Sequence, residues 1–239
     1  KVIFSGKKGE LLDKLGKSYV TDSAVAITYD ARDSLYIHSD TMWMFFDEER
    51  KAKYMQAYYN VRFYRNNLQG KCDSLAYSMS DSTIRMYYKP VMWSGKNQLT
   101  ADSITIIVSG NKIDSLMMYN TAFIVSRDST KSFNQIRGKN MVAYFDKNSL
   151  SRIDVNGNAQ TVYYVREEDG NLIGVDLAEA SRMKIRLRDS EIQTITYHLS
   201  VNEDMFPEKD LTEKETRLKD FSWLESDRPI SKNDIFPKK

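Results

Sequence analysis

A single cysteine, Cys72, stands in 239 residues. No disulfide can therefore close within the chain, which excludes a disulfide scaffold and leaves the compartment open. Proline (4) and glycine (10) are few. No run approaches the roughly 20 consecutive apolar residues of a membrane-spanning helix. No block of one charge occurs either. Lys and Arg (35) nearly balance Asp and Glu (33), leaving +2 with the signs interspersed, which argues against nucleic acid as a partner and against a polybasic membrane strategy. The phosphate-cradling, dinucleotide-binding, serine-hydrolase and zinc-protease patterns GxxxxGK[ST], GxGxxG, GxSxG and HExxH are all missing. The two histidines, His38 and His198, lie far apart with no companion at metal-ligand spacing, so both are expected as ordinary strand residues, and no metal or other cofactor is expected. The first residue is Lys1 rather than Met, as expected of a processed or partial chain, so no leader can be read.

What the chain does have is Tyr (15), Met (11) and short alternating runs. Tyrosine suits pleated surfaces. From about Thr21 onward the runs read as half-buried strands: Leu75, Tyr77 and Met79 share a face, as do Ile84, Met86 and Tyr88, then Ile104, Ile106 and Val108, then Met183, Ile185 and Leu187. The expected fold class is all-β, with 21–206 as one body, 1–20 as an N-terminal arm and 207–239 as a C-terminal unit. In that last unit Leu211, Leu218, Phe221 and Leu224 amid alternating charges predict a short amphipathic helix within 210–225. It is expected to pack on one end of the β body, with Phe221 and Trp223 as a plug.

A small polar step recurs before apolar runs, at Ser39-Asp40, Cys72-Asp73, Ala101-Asp102, Lys139-Asn140 and Ala180-Ser181. Spacings of about 29 to 41 residues mark a repeated strand–turn–strand unit, whose uncovered apolar face is covered by stacking neighbours. Short polar side chains at such steps bond nearby backbone and tolerate turn conformations. A carbohydrate-active β-helix enzyme would need two carboxylates on one face, and Asp40, Asp73 and Asp102 recur once per repeat. A catalytic pair is needed once and a turn in every unit, so turns are the expected role. Asp47-Glu48-Glu49 and Glu167-Glu168-Asp169 are expected as solvated hairpin tips.

The remaining candidate site is the apolar stripe. Leu75, Tyr77, Met79, Ile84, Met86, Tyr88, Ile104, Ile106, Val108, Met117, Tyr119 and Phe123 either line an open groove or fill a closed core; Met-rich surfaces suit irregular, greasy ligands. Trp43 and Trp93 are candidates for the groove mouth, and Lys89 and Lys96 for solvated turns.

The stretches NVRFYRNNLQGKCDSLAYSMSDSTIRMYY (60–88), PVMWSGKNQLTADSITI (90–106), FNQIRGKNMVAYF (133–145), VNGNAQTVYYV (155–165) and FSWLESDRPIS (221–231), in that order, resemble the OstA-like family of lipopolysaccharide-transport proteins, the LptA type. The resemblance spans roughly residues 20–235. It implies a bent β-jellyroll ("β-taco") of two facing sheets enclosing an apolar groove, located in the periplasm of a Gram-negative bacterium. It implies a non-enzymatic role in outer-membrane biogenesis, shielding the lipid A acyl chains of lipopolysaccharide, and assembly with itself or with other transport proteins by sheet-edge pairing. The alternatives are a closed structural envelope β-solenoid and the carbohydrate-active enzyme.

Overall fold

Alternating apolar and polar residues over long stretches make strands with one dry face, and the observed elements follow that pattern closely. The computed structural model describes residues 2–29, 34–109, 112–146, 149–188 and 191–237. Its strands are β1 (Val2–Ser5), β2 (Lys8–Leu12), β3 (Lys17–Thr28), β4 (Leu35–Phe46), β5 (Ala52–Arg65), β6 (Leu68–Ser78), β7 (Thr83–Tyr87) and β8 (Val91–Ser94). They continue as β9 (Asn97–Thr100), β10 (Ser103–Ser109), β11 (Lys112–Arg127), β12 (Phe133–Asp146), β13 (Ser149–Arg166), β14 (Leu172–Arg188), β15 (Glu191–His198) and β16 (Asn202–Phe206). All join one 16-stranded sheet through antiparallel pairs, with β1 and β2 both on β3, β8 and β9 bridging β6 to β11, and β15 and β16 both on β14. The all-β jellyroll-like class expected from the sequence is what forms.

The sheet is creased along one line. In β3, β5, β11 and β13 two residues oppose one on the neighbouring strand: Asp22 and Ser23 face Asp40, Tyr59 and Asn60 face Asp73, Asn120 and Thr121 face Lys139, and Gly157 and Asn158 face Ser181. Each of these pairs has positive φ, as do Tyr88 and Lys89 between β7 and β8 and Leu199 and Ser200 between β15 and β16. Two-against-one bulges bend a strand sharply, so every long strand turns at the same level. The recurring polar step in the sequence is this crease. Its Asp residues hold the bend: Asn60 Nδ2 donates to Asp40 Oδ2 at 2.9 Å and Thr121 Oγ1 to Asp102 Oδ1 at 2.6 Å. The two acidic runs form hairpin tips, closed by backbone bonds from Asp47 to Lys51 and from Glu167 to Asn171.

The crease divides the sheet into two leaves. Leaf I contains β1, the halves of β3 and β4 that pair beyond the bulge, β8, β9 and β16; leaf II contains β2, the other halves, β7, β10 and β15. The inner faces meet in one apolar core that takes Ile37, Met92, Leu99 and Ile124 from leaf I and Met42, Met86, Leu116, Met118 and Ile185 from leaf II. Residues expected as an N-terminal arm run as β1 and β2 and add one strand to each leaf.

After β16 the chain turns back and crosses the outer face of leaf I as a strap. Leu211 and Leu218 pack against Val162, Tyr164 and Val175, and Leu218, Phe221 and Trp223 against Phe123, Val125 and Phe133. The helix expected within 210–225 is reduced to turns, and Phe221 and Trp223 cover a sheet face rather than plugging an end. The reason lies in the hydrogen bonds. Gln135 on β12 donates from Nε2 to Thr216 O (2.9 Å) and accepts from Leu218 N (3.0 Å); Gln98 on β9 does the same with Ser222 O (2.8 Å) and Leu224 N (2.7 Å). Backbone groups that a helix would pair internally are taken by two buried side-chain amides. Arg228 Nε reaches Gln69 Oε1 at 2.8 Å, Lys71 pairs with Asp227, and Phe236 lies 5.0 Å from the His38 ring. Trp93 stands between Gln69 and Gln98 in the same cross-strand row and is fully buried, away from any groove mouth.

Candidate functional site

The two leaves do not meet everywhere. Between their N-terminal strands lies a cavity of about 290 Å³. Leaf I supplies Ala26, Leu35, Ile37, Phe63 and Leu68, and leaf II supplies Met44, Met55, Leu75, Tyr77, Met79, Ile84, Ile106 and Val108. Gly70, paired with Phe63, explains part of this space: the Phe63 ring lies directly on the glycine, and a Cβ there would collide with it. Any side chain at 70 would push the ring into the cavity. Arg65 and Lys112 are the charged residues of the lining.

Away from this cavity the leaves close. Met86, Met92, Leu99, Ile104, Leu116 and Met118 have no exposure between them, and a space of about 20 Å³ lies near Ile124, Ile153 and Ile192. At the C-terminal end Tyr197 of leaf II donates its hydroxyl to Asp176 Oδ2 of leaf I at 2.9 Å, a cross-leaf bond from a half-buried hydroxyl to a buried carboxyl. Burial raises the Asp176 carboxyl above its usual range, against the lowering effect of that hydrogen bond, and burial likewise raises the Tyr197 hydroxyl.

The twelve candidate residues divide by position. Leu75, Tyr77, Met79, Ile84, Ile106 and Val108 line the cavity, while Met86 and Ile104 are sealed in the core beside it. Tyr88 sits on the crease, 72% exposed, with a positive φ. Met117 and Tyr119 lie on the outer face of leaf II, where the Tyr119 hydroxyl is 3.1 Å from Met117 Sδ. Phe123 lies on the outer face of leaf I, its ring centroid 6.4 Å from that of Phe221. The inward residues of β11 are Leu116, Met118, Ala122 and Ile124. The LMMY run is apolar on both faces, so alternation alone selects neither phase.

Other candidates find plain roles. Cys72 is buried, and its thiol is pushed up to about 12 by desolvation. His38 is buried with Nδ1 3.0 Å from Ala24 O, and burial lowers its pKa. Trp43 lies on the outer face of leaf II, 4.9 Å from the Tyr19 ring. Lys89 and Lys96 are exposed turn residues outside the cavity lining. Among the described residues no cluster of His, Cys, Asp or Glu has metal-binding geometry, and no helix is long and apolar enough to cross a membrane.

Residues 16–112 match the model of a family described as LptA/(LptD N-terminal domain) LPS transport protein. That segment runs from the start of β3 to the first residue of β11 and builds all of the cavity lining except Ile113. The chain is also similar to the crystal structure of LptH, the LptA-homologous periplasmic component of the lipopolysaccharide transport device from Pseudomonas aeruginosa, at 12% identity over 59% of this chain and 95% of that chain, with a TM-score of 0.43. No curated protein sequence matches. The resemblance to the LptA-type transport family thus holds over the strands that form the cavity.

Proposed function

We propose that this protein is a periplasmic component of lipopolysaccharide export that shields acyl chains from water between its two leaves, without catalysis. The observation that carries the reading is the apolar cavity, built by the segment that matches the transport family. Its size sets what it can hold. An apolar cavity of ~150 Å³ accommodates a benzene ring, so about twice that space takes on the order of a dozen carbons, one acyl chain. At roughly 0.8 kcal/mol per CH₂ removed from water, one sheltered chain is stabilised by about 8–10 kcal/mol, enough to matter and weak enough to release. Flexible Met44, Met55 and Met79 and the broad faces of Phe63 and Tyr77 fit a chain that slides. The outermost strands, β1 and β2 at one end and β15 and β16 at the other, offer backbone for pairing with a second copy or with another transport protein.

One observation favours the closed structural reading for the rest of the body: beyond the cavity the core between the leaves is filled. In-cell photocrosslinking separates the two. A photoreactive phenylalanine replaces Tyr77 in the cavity and, separately, Arg85 on the outer face of the adjacent strand. A lipopolysaccharide adduct at 77 and none at 85 is expected. Absence of adduct at 77 in folded protein would leave the closed body as the reading.

A further inference from the structure

We infer that the outer face of leaf II is a docking surface for an anionic phospholipid membrane. This face is separate from the acyl cavity and shares no residue with its lining. The register lays three rows of side chains on it, each crossing the strands from β3 to β15: Thr21 to His198 nearest the crease, Tyr19 to Thr196 next, and Lys17 to Thr194 beyond. Counted along the chain, charges of both signs are interspersed; folded, they separate. The rows hold the cations Lys17, Arg85, Arg152, Arg182, Lys184 and Arg186, and their one carboxylate among the described residues is Asp154, which pairs with Arg152 at 3.3 Å. Further carboxylates, among them Asp81 (3.7 Å from Arg85) and Asp146, stand out at the hairpin ends. The positive field therefore centres on Arg182, Lys184 and Arg186. These are alternate residues of β14, turned outward because Met183 and Ile185 are buried in the core, and about 6–7 Å apart.

The rest of the face is aromatic. Trp43, Phe45, Tyr54, Tyr58, Tyr87 and Tyr119 lie in the same three rows, and none is buried. Lys17 Nζ stands 5.0 Å from the centre of the Trp43 ring. On leaf I the outward rings Phe123 and Phe133 lie under the strap; on leaf II the chain supplies no such cover. Rings with one wet edge gather where a membrane meets water, and cations held beside them attract anionic lipid heads. Lipids move laterally, so each cation on β14 collects its own head, whereas an acidic protein would have to present carboxylates already set at that spacing. Aromatic rings beside a one-signed basic strand thus match an anionic bilayer in both chemistry and charge.

Flotation of the purified full chain with vesicles tests this, using phosphatidylglycerol mixed with phosphatidylcholine against phosphatidylcholine alone. Each cation at an anionic bilayer changes partitioning about fivefold, so Arg182→Gln, Lys184→Gln and Arg186→Gln together should lower it on the order of 100-fold. Arg182→Lys with Arg186→Lys keeps the charge and should keep the binding. Lys209→Gln, Lys214→Gln and Lys219→Gln remove as much charge from exposed positions on the strap, over the other leaf, and should leave binding nearly unchanged. High salt should weaken the interaction, and Trp43→Ser with Tyr87→Ser should weaken what remains. Near-ultraviolet circular dichroism checks that each variant is folded. Equal losses in the two glutamine triples would assign binding to overall charge and overturn the site. Equal partitioning to both kinds of vesicle would overturn the role of the cations. Capture by polyglutamate without vesicle binding would assign the face to an acidic protein and overturn the membrane. None of these outcomes bears on the acyl cavity.

Discussion

Replacing Gln98 tests whether the strap is held by side-chain amides, and its cost follows from the geometry. Gln98 is fully buried and makes two bonds to the strap backbone, at 2.8 Å to Ser222 O and 2.7 Å from Leu224 N. Gln98→Met keeps the volume and removes both partners. The Leu224 N–H and the Ser222 carbonyl then remain on a sheet face, and each unsatisfied group costs about 1–3 kcal/mol, or about 2–6 kcal/mol together. For a chain of this length 1 kcal/mol moves Tm by about 2–4 °C, so a fall of between about 4 and about 24 °C is expected. The strap docks as one segment, with Phe221 against Phe133 at 5.2 Å and Trp223 against Phe133 at 5.2 Å. Gln98→Met and Gln135→Met together should therefore cost less than the sum of the two singles, because the loss is capped once the segment detaches. Thermal unfolding read by near-ultraviolet circular dichroism gives the first number, and amide exchange at Leu218 and Leu224 the second. A change in Tm below 2 °C, with both amides still protected, would refute the reasoning and assign the strap to its aromatic contacts alone.

Core and cavity positions should respond differently to the same deletion. Met86→Ala opens a hole in a fully buried site and should cost about 2–5 kcal/mol, whereas Met79→Ala borders space that already exists and should cost under about 1.5 kcal/mol in urea unfolding; equal losses would mean that the cavity is collapsed in solution. The second expectation concerns Asp176. Its carboxyl pKa is raised in the folded chain by burial, so the stability it contributes is complete below the unfolded value near 3.9 and declines as pH rises through the raised folded value. Asp176→Asn should remove this decline. Urea midpoints of the two proteins from about pH 3.5 to 7, taken as a difference, give the Asp176 contribution together with the part of the Glu203 elevation that the Asp176 charge causes, while the part that burial causes cancels. A flat difference would show that Asp176 titrates alike in both states.

Much of the fold was legible because one feature, the polar step, recurs with the unit of architecture. The all-β class, the hairpin tips and the inward faces of β6, β7 and β10 follow from alternation, which is a local signal. What alternation could not supply is phase across the crease. In β4 the inward residues are Ile37 before the crease and Met42 and Met44 after it; in β6 they are Cys72, then Leu75; in β14, Ala178 and Ala180, then Met183 and Ile185. Each switch from even to odd, or back, occurs at the single residue opposite a bulge and is invisible to a period of two, while the bulged strands β3 and β5 keep one parity. The lining of β4 was missed for that reason, though SDTMWMFF contains the switch. The strap was illegible for a different reason: Leu211, Leu218, Phe221 and Leu224 do fit a helix face, and only long-range bonds from Gln98 and Gln135 make them extended. Local propensity yields when distant side chains take the backbone groups a helix would use.

The same bent frame thus carries both a closed core and an open cavity, and side-chain volume decides between them. Where Met92, Leu99 and Ile124 of leaf I face Met86, Ile104, Leu116 and Met118 of leaf II, large residues stand on both sides and the gap is filled. Around the cavity leaf I presents Ala26, and the Phe63 ring lies down on Gly70 instead of standing into the gap. Leaf II has nothing bulkier to fill the difference than Tyr77 and methionines. Interiors reach close packing wherever the residues allow it, so space at one end of an otherwise dense body is set by the small residues placed there. Gly70 does this without weakening its strand, because the ring opposite covers the exposed backbone. The crease fixes how far apart the leaves are held, and Ala26 and Gly70 fix how much of that separation is left for a guest.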